Sequence, residues 1–485
     1  MCELRRTRAE EPPATGRHPG PSAAPRPPGG PREPFDDAVN GRGDERGSDA
    51  EPGYPAPVES NTAEADLREP GAVDADVASA VGHILDGVLR ERVTAAAGID
   101  DVFARDIAER VMRFTLGGGK RMRSQFLWWG LRACGGGRDP EAAEAALRVA
   151  AGLELIQTCA LVHDDVMDDS PLRRGRATVH VELAAQYGRS GRGAAGRTAG
   201  GHRPSRYGAA AGPDEPFGRA AAILAGDLAL AWADDTLAET PLAPDTRRRV
   251  RGIWRAMRTE MVAGQYLDLH GQATGSRSMV RAIRTACLKS ALYSVERPIA
   301  LGAALAGAGD RTTRALCSAG RCAGIAFQLR DDLLGVFGDP ERTGKPSGHD
   351  IREGKPTYLV AVARARAEAD GDGAALAVLD GALGDPGLSA DDLRRVRAVL
   401  TGTGARALTE TKIDRLVGQS ARHLAGAAVE PAAGRRLRAL LSAVAGVGAW
   451  PDGADPAPGR RAPAGAPDGM PVPLLLSAAP EGDRR

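Results

Sequence analysis

From Glu141 to Asp165 the chain runs through Ala, Leu and Val with no proline and one internal glycine. The run closes on carboxylates at Asp164, Asp165, Asp168 and Asp169. Apolar residues at this spacing specify a long buried helix. Almost no β-branched, alternating segment occurs anywhere in the chain, so this helix has no sheet to cover. It must pack on other helices, and the expected class is all-α, with helices long enough to form a bundle. On a helix Asp164 and Asp168 share a face, as do Asp165 and Asp169. Carboxylates crowded into two turns repel one another unless positive charge sits among them. Hard divalent cations with oxygen ligands, Mg2+ above all, supply that charge. Arg173, Arg174 and Arg176 follow at once in a basic loop suited to phosphate. Cation, phosphate and an apolar lead-in together point to a diphosphate carrying an apolar tail.

Further helical patterns cover Val77–Leu89, Asp101–Phe114, Lys120–Ala133, Phe217–Ala238, Thr246–Leu269, Val280–Ala308 and Thr312–Val336, with more within Ala374–Leu400 and Ala405–Val447. The flanks differ. Thirteen of the 34 prolines fall in the first 75 residues, among Gly, Arg, Glu and Asp. Such a stretch cannot bury enough apolar surface to offset chain entropy, so residues 1–74 and 451–485 are expected to be disordered tails. One folded domain over 75–450 remains, interrupted at 187–216 by a Gly-, Arg-, Ser- and Pro-rich stretch that reads as a flexible surface insertion. A net charge of +1 provides no global field toward nucleic acid or a membrane surface. The N-terminus shows no apolar signal region, and no uninterrupted apolar run reaches about 18 residues, so no secretory signal or transmembrane segment is expected. The six cysteines form neither a CxxC pair nor a His-coupled zinc spacing. A reduced, cytoplasmic protein with its thiols in the core is the expectation.

A second acidic cluster, Asp331, Asp332 and Asp339 in FQLRDDLLGVFGD, follows another apolar helix. Two such helices can face each other across a bundle and share metal ions. Beyond it, Lys345 and Lys355 sit in Gly/Pro-rich turns from which an ammonium can reach phosphate; either alone would read as a surface lysine. Upstream, GGGKRMR places flexible glycines, then Lys120, Arg121 and Arg123, at a helix start. The helix dipole disfavours bases there, so a bound anion is implied. The spacing is not that of a P-loop.

The order of GGGKRMR, DDVMD with RRGRAT, GDLAL, GQYLDL, KSA, FQLRDDLLGVFGD, GKP and EGKPT resembles the trans-isoprenyl diphosphate synthases, the polyprenyl synthetase family, over about Ala75 to Val447. The resemblance implies an isoprenoid synthase-type helical bundle around a central apolar cavity, acting as a homodimer. It implies that Asp164, Asp165 and Asp168, with Asp331 and Asp332 opposite, hold about two to three Mg2+ ions. It implies Arg173 as ligand of the allylic diphosphate, and Lys120, Arg123, Arg174 and Gln157 as ligands of isopentenyl diphosphate. Lys289, Ser290 and Gln328 would face the carbocation, and Lys345 and Lys355 the leaving diphosphate. The expected reaction ionises an allylic diphosphate (dimethylallyl, geranyl or farnesyl), condenses it with isopentenyl diphosphate and eliminates a proton.

Three departures from the family pattern stand out. Gly335 replaces the usual third aspartate of the second cluster. Ser290 stands for the commoner Thr, and Ser124 and Ala177 stand for Pro. Cys159 and Ala160, just upstream of Asp164, are small, and a product longer than farnesyl, with geranylgeranyl diphosphate favoured, is the expectation. Two rivals are weighed. A class I terpene cyclase needs more aromatics than the 4% present, and has no use for a second diphosphate site. A non-catalytic partner subunit would lose one aspartate cluster, and Gly335 leans that way.

Overall fold

The computed structural model describes residues 69–173, 175–190, 214–339 and 347–446. The described residues are helical except for turns and one antiparallel pairing of β1 (Leu172–Arg173) with β2 (Arg176–Ala177). In chain order the helices begin with α1 (Pro70–Ala75), α2 (Val77–Ala97), α3 (101–116), α4 (Met122–Ala133) and α5 (Pro140–Met167). After the hairpin come α6 (Val179–Ser190), α7 (Glu215–Glu239), α8 (Pro244–Thr274), α9 (279–305) and α10 (Asp310–Phe337). The last are α11 (His349–Arg352), α12 (Tyr358–Asp370), α13 (Gly373–Ala382), α14 (Ala390–Gly402), α15 (Ala405–Ala425) and α16 (Pro431–Val444). The absence of alternating segments thus has the expected result, an all-α fold.

The central helix α5 starts where Asp139 accepts the Ala142 N–H at 2.8 Å and Pro140 occupies the first turn. Ala, Leu and Val on most of its sides let α2, α3, α4 and α7 pack around it. Leu153, Leu155, Ile156, Phe126 and Trp128 are buried there. By length and composition α5 could cross a bilayer, contrary to the expectation drawn from uninterrupted runs. Of its apolar window, however, 72% is buried among the other helices. A second apolar cluster gathers Leu329, Leu333, Leu359, Leu400 and Ile413 from α10, α12, α14 and α15. Helix α10 contributes to both clusters.

Two expected boundaries move. Among the described residues helix α1 already covers Pro70–Ala75, ahead of the expected start at Ala75, with Val73 fully buried. Of the stretch read as a 187–216 insertion, α6 takes the first residues up to Ser190, and α7 starts at Glu215, capped by Asp214, whose side chain accepts the Phe217 N–H at 3.2 Å. Tyr187 and Phe217 bring the two ends together, ring edge to ring face with centroids 4.7 Å apart. The remainder of that stretch, and both expected tails apart from 69–74, lie outside the described residues.

Packing of α9 on α4 depends on a close backbone approach. A methyl group on Gly302 would lie 2.1 Å from the Leu127 carbonyl oxygen and 2.6 Å from the Leu131 nitrogen. Gly87 on α2 has open space around it. Gly302→Ala is expected to destabilise the protein by about 1–3 kcal/mol through overpacking, whereas Gly87→Ala should stabilise it by roughly 0.5–1 kcal/mol. Urea denaturation of the two variants checks the contrast.

Candidate active site

The last turn of α5 and the hairpin after it form one electrostatic unit. Asp169 adopts a left-handed conformation (φ 50°) that turns the chain, and Gly175 (φ 74°) sits at the hairpin bend. Arg173 is thereby folded back onto the helix. Its Nε lies 2.8 and 2.9 Å from the two carboxylate oxygens of Asp165, its Nη2 2.6 Å from Oδ1, and Asp164 is 3.7 Å away. Asp165 is almost fully buried by this pairing. Asp169 points the other way, to Arg219 at 2.5 Å. Asp164 accepts from Gln265 Nε2 at 2.9 Å and faces Lys289 Nζ at 3.3 Å.

Lys289 belongs to a π-helical segment of α9, Cys287–Glu296. Wider π turns redirect side chains and recur at functional sites. Here consecutive turns reach several helices. Lys289 bridges Asp164 on α5 and Asp268 on α8, the latter at 2.7 Å. Ser290 donates to Gln328 Oε1 on α10 at 2.5 Å, and Gln328 Nε2 donates to Asp332 at 2.8 Å. Tyr293 donates to Gln157 on α5 at 2.9 Å, and Ser294 accepts from Arg123 on α4 at 2.7 Å. Gly264 on α8 and Gly324 on α10 make room for the segment. A Cβ on either would come within 2.3 Å of Lys289 N or 2.6 Å of Ala291 Cα.

The second cluster divides: Asp331 is exposed and Asp332 is 7% exposed. Lys355 ties the first cluster to α11. Its Nζ lies 3.7 Å from Asp168 and 3.9 Å from Asp350, and it also pairs with Glu353. The two lysines thus tie the acidic end of α5 to α8 and to α11, and Asp350 and Asp268 bear in turn on Asp332.

The site still carries excess negative charge. Burial, reinforced by neighbouring Asp164, pushes the Asp168 carboxyl up to about 6 in spite of Lys355. Burial and then Asp350, with Asp331 and Asp268 further off, push Asp332 well above the carboxylate range. Against the downward pull of burial, Asp350, Asp168 and Glu353 hold Lys355 above its ordinary value. An all-carboxylate donor set with unneutralised charge fits a hard divalent cation. Among the described residues no three ligating side chains converge on one point.

The glycine–basic stretch divides its duties. Lys120 is exposed at the start of the turn. Arg123 stacks on Tyr293, 4.4 Å from the ring centroid, and its buried Nε has no hydrogen-bond partner. Arg121 does not join the expected cradle. It takes a left-handed conformation (φ 42°), is buried, and faces Glu154 at 3.9 Å, where Ser124 also donates to that carboxylate at 2.6 Å. Cys159 is buried, with Sγ 3.7 Å from His163 Nδ1, and burial pushes its thiol up to about 12. Ala160 is half-buried.

Of the residues singled out from sequence, Arg174 and Lys345 lie outside the described residues. Sequence reasoning missed Asp268, Gln265, Asp350 and Tyr293 as members of this group. Asp268 sits in the quoted GQYLDL, and Asp350 lies between GKP and EGKPT. Neither forms a cluster in one dimension. A surface cavity of about 1120 Å³, lined by Arg132, Arg138, Arg435 and Arg438, lies elsewhere, beside α1 and α16.

Residues 105–382 match the polyprenyl synthetase family. The chain is 30% identical over 298 residues to geranylfarnesyl diphosphate synthase of Aeropyrum pernix, spanning 61% of this chain and 79% of that protein. It is 34% identical over 260 residues to farnesyl diphosphate synthase of Geobacillus stearothermophilus, spanning 52% and 73%. Its fold superposes on geranylgeranyl pyrophosphate synthase of Corynebacterium glutamicum, a structure complexed with isoprenyl diphosphate and magnesium. That match has a TM-score of 0.68 and 36% identity over 76% of this chain and 97% of that one.

The buried Arg121–Glu154 pair is expected to be structural. Glu154→Ala leaves a buried guanidinium unpaired and should cost on the order of 3 kcal/mol, while Lys120→Ala should stay within about 0.5 kcal/mol of the parent. Chemical denaturation of both variants tests the division.

Proposed function

The chain belongs to the polyprenyl synthetase family, and from that premise we propose a Mg2+-dependent synthase that condenses isopentenyl diphosphate with an allylic diphosphate to give geranylgeranyl diphosphate. The prenyltransferase class comes with the family; metal, site roles and product length are our reading. The observation that carries it is the charge cluster in which Lys289 joins Asp164 to Asp268 and Lys355 joins Asp168 to Asp350, with Asp350 and Asp268 bearing on Asp332 of the second cluster.

Asp164, Asp165 and Asp168, with Asp331 and Asp332, would hold about two to three Mg2+ ions, and these, once bound, make the allylic diphosphate a better leaving group. Arg173, Lys289 and Lys355 already lie among those carboxylates, and each can turn its charge to the diphosphate as metal replaces it; Lys345 would join them. Carbon–oxygen cleavage leaves an allylic cation, and Ser290 and Gln328 turn oxygen dipoles toward it. Lys120, Arg123, Arg174 and Gln157 would hold the isopentenyl diphosphate so that its double bond attacks C1 of the cation. The unpaired Arg123 Nε is a donor suited to that phosphate. The released diphosphate, held among these cations, takes a proton from C2 of the isopentenyl unit, which restores an alkene. The apolar helices below Asp164 exclude water, which would quench the cation.

Product length follows from the floor of the tail site. Cys159 and Ala160 are small, so the growing chain can pass the level at which a bulky side chain would stop it. The relatives make farnesyl, geranylgeranyl and geranylfarnesyl products by name, so this assignment rests on the two side chains. A homodimer is also proposed: Leu224 on α7 and Val262 on α8 are more than 60% exposed, apolar surface that a second copy would cover. The five described cysteines are free, in keeping with a cytoplasmic enzyme.

The test incubates purified protein with Mg2+, labelled isopentenyl diphosphate and each allylic primer, and sizes the products. A twenty-carbon product is expected. A farnesyl-only product overturns the floor assignment, and no turnover by the chain alone favours a non-catalytic partner subunit. Asp164→Ala should lower turnover on the order of 100- to 1000-fold. Ala160→Phe should shift the product to farnesyl while turnover survives; an unchanged product would remove Ala160 from the floor.

A further inference from the structure

Lys289 and Ser290 stand side by side in the π segment and reach opposite ways, to Asp268 on α8 at 2.7 Å and to Gln328 on α10 at 2.5 Å. The far end of the segment repeats this pattern with charges. Glu296, its last residue, is 1% exposed and meets Arg321 on α10 as a fork, 2.5 Å from Nε and 2.7 Å from Nη2. Arg297, the next residue, forks onto Glu260 on α8 at 2.8 and 2.5 Å. Arg297 also lies 3.6 Å from Glu296, so Glu260, Arg297, Glu296 and Arg321 form one alternating row with no net charge. The row lies apart from the acidic centre. Arg321 precedes Gln328 by seven residues on α10 and Glu260 precedes Asp268 by eight on α8, about two turns in each case.

Stability alone does not account for this row, since buried ion pairs are often replaced by apolar residues of similar volume at no loss. What a fork supplies is geometry: two parallel N–H···O bonds fix position and angle. Registration is needed here, because α10 offers bare backbone to Glu296, with a Cβ on Gly320 falling 3.2 Å from Glu296 Cα. Ten residues are also long for a π helix, a form found mostly as single turns, so the wide turns must be held open. We propose that Glu296 and Arg321, with Arg297 and Glu260, are positioning residues that pin the end of the π segment between α8 and α10 and thereby hold Lys289 on Asp268 and Ser290 on Gln328. Without the row the segment relaxes toward α-helical turns, which rotate Lys289 and Ser290 away from those partners. The proposal rests on reading Lys289 and Ser290 as part of the reacting centre.

The test compares the full-length parent with Glu296→Gln/Arg321→Met, which removes both charges of the pair together. Its melting temperature should stay within about 5 °C of the parent. Its kcat for condensation should fall on the order of 10- to 100-fold, the scale of a small misplacement, with KM for the allylic diphosphate within about threefold. Amide hydrogen exchange over residues 287–297 should quicken about tenfold or more while that of α2 keeps the parent rate. Arg321→Lys keeps the charge without the fork and should fall between the two proteins in both measurements. A folded double variant with kcat within about twofold of the parent overturns the proposal, as does a lowered kcat with parent exchange over 287–297. If the double variant does not fold, Arg321→Lys decides, and parent values of kcat and exchange overturn the proposal. Ser290→Ala tests the premise separately, with a lowered kcat and unchanged exchange expected. A parent kcat in Ser290→Ala removes Ser290 from the reacting centre, while the exchange of the double variant still decides whether the row holds the segment.

Discussion

Mutual repulsion among carboxylates governs this molecule. Asp164, Asp165 and Asp168 end one apolar helix, Asp331 and Asp332 interrupt another, and Asp268 and Asp350 lie between. Burial raises the cost, because a charge taken out of water must find a counter-charge or give it up. The fold answers with three cations of its own: Arg173 on Asp165, Lys289 between Asp164 and Asp268, and Lys355 among Asp168, Asp350 and Glu353. Neutralisation stays incomplete, as the raised carboxyls of Asp168 and Asp332 show. An incompletely neutralised, oxygen-only centre of this kind suits a hard cation.

Precision in that centre comes from backbone packing. The π segment of α9 sends side chains to α4, α5, α8 and α10 from ten residues. It can do so because Gly264 and Gly324 let α8 and α10 approach its backbone. A standard α-helical turn would aim fewer of these groups at the centre, and a side chain at either glycine would push it away. Ser290, Gln328 and Asp332 form a chain of hydrogen bonds from this segment to the second cluster, so both share one support.

Much of the site was legible in one dimension because its residues are periodic or adjacent. Aspartates four apart at the end of an apolar run announce a charged helix face, and GGGKRMR announces a basic turn. Arg121 was misread for the same reason: between Lys120 and Arg123 it looks like part of the basic turn, but its left-handed backbone sends the side chain into the core toward Glu154. Asp268, Tyr293 and Asp350 carried no local signal, since each is significant only for what lies across from it.

Composition and periodicity by themselves determined the all-helical class and the central helix with its acidic end. These follow from helical spacing and the cost of burying like charges, which act over a few residues. Tertiary structure alone decided how the charge is shared: which lysine bridges which aspartates, and that Arg173 folds back onto Asp165. Those outcomes depend on contacts between residues such as Lys289 and Asp164, more than a hundred positions apart. No local pattern encodes such contacts, because they exist only once the helices have packed.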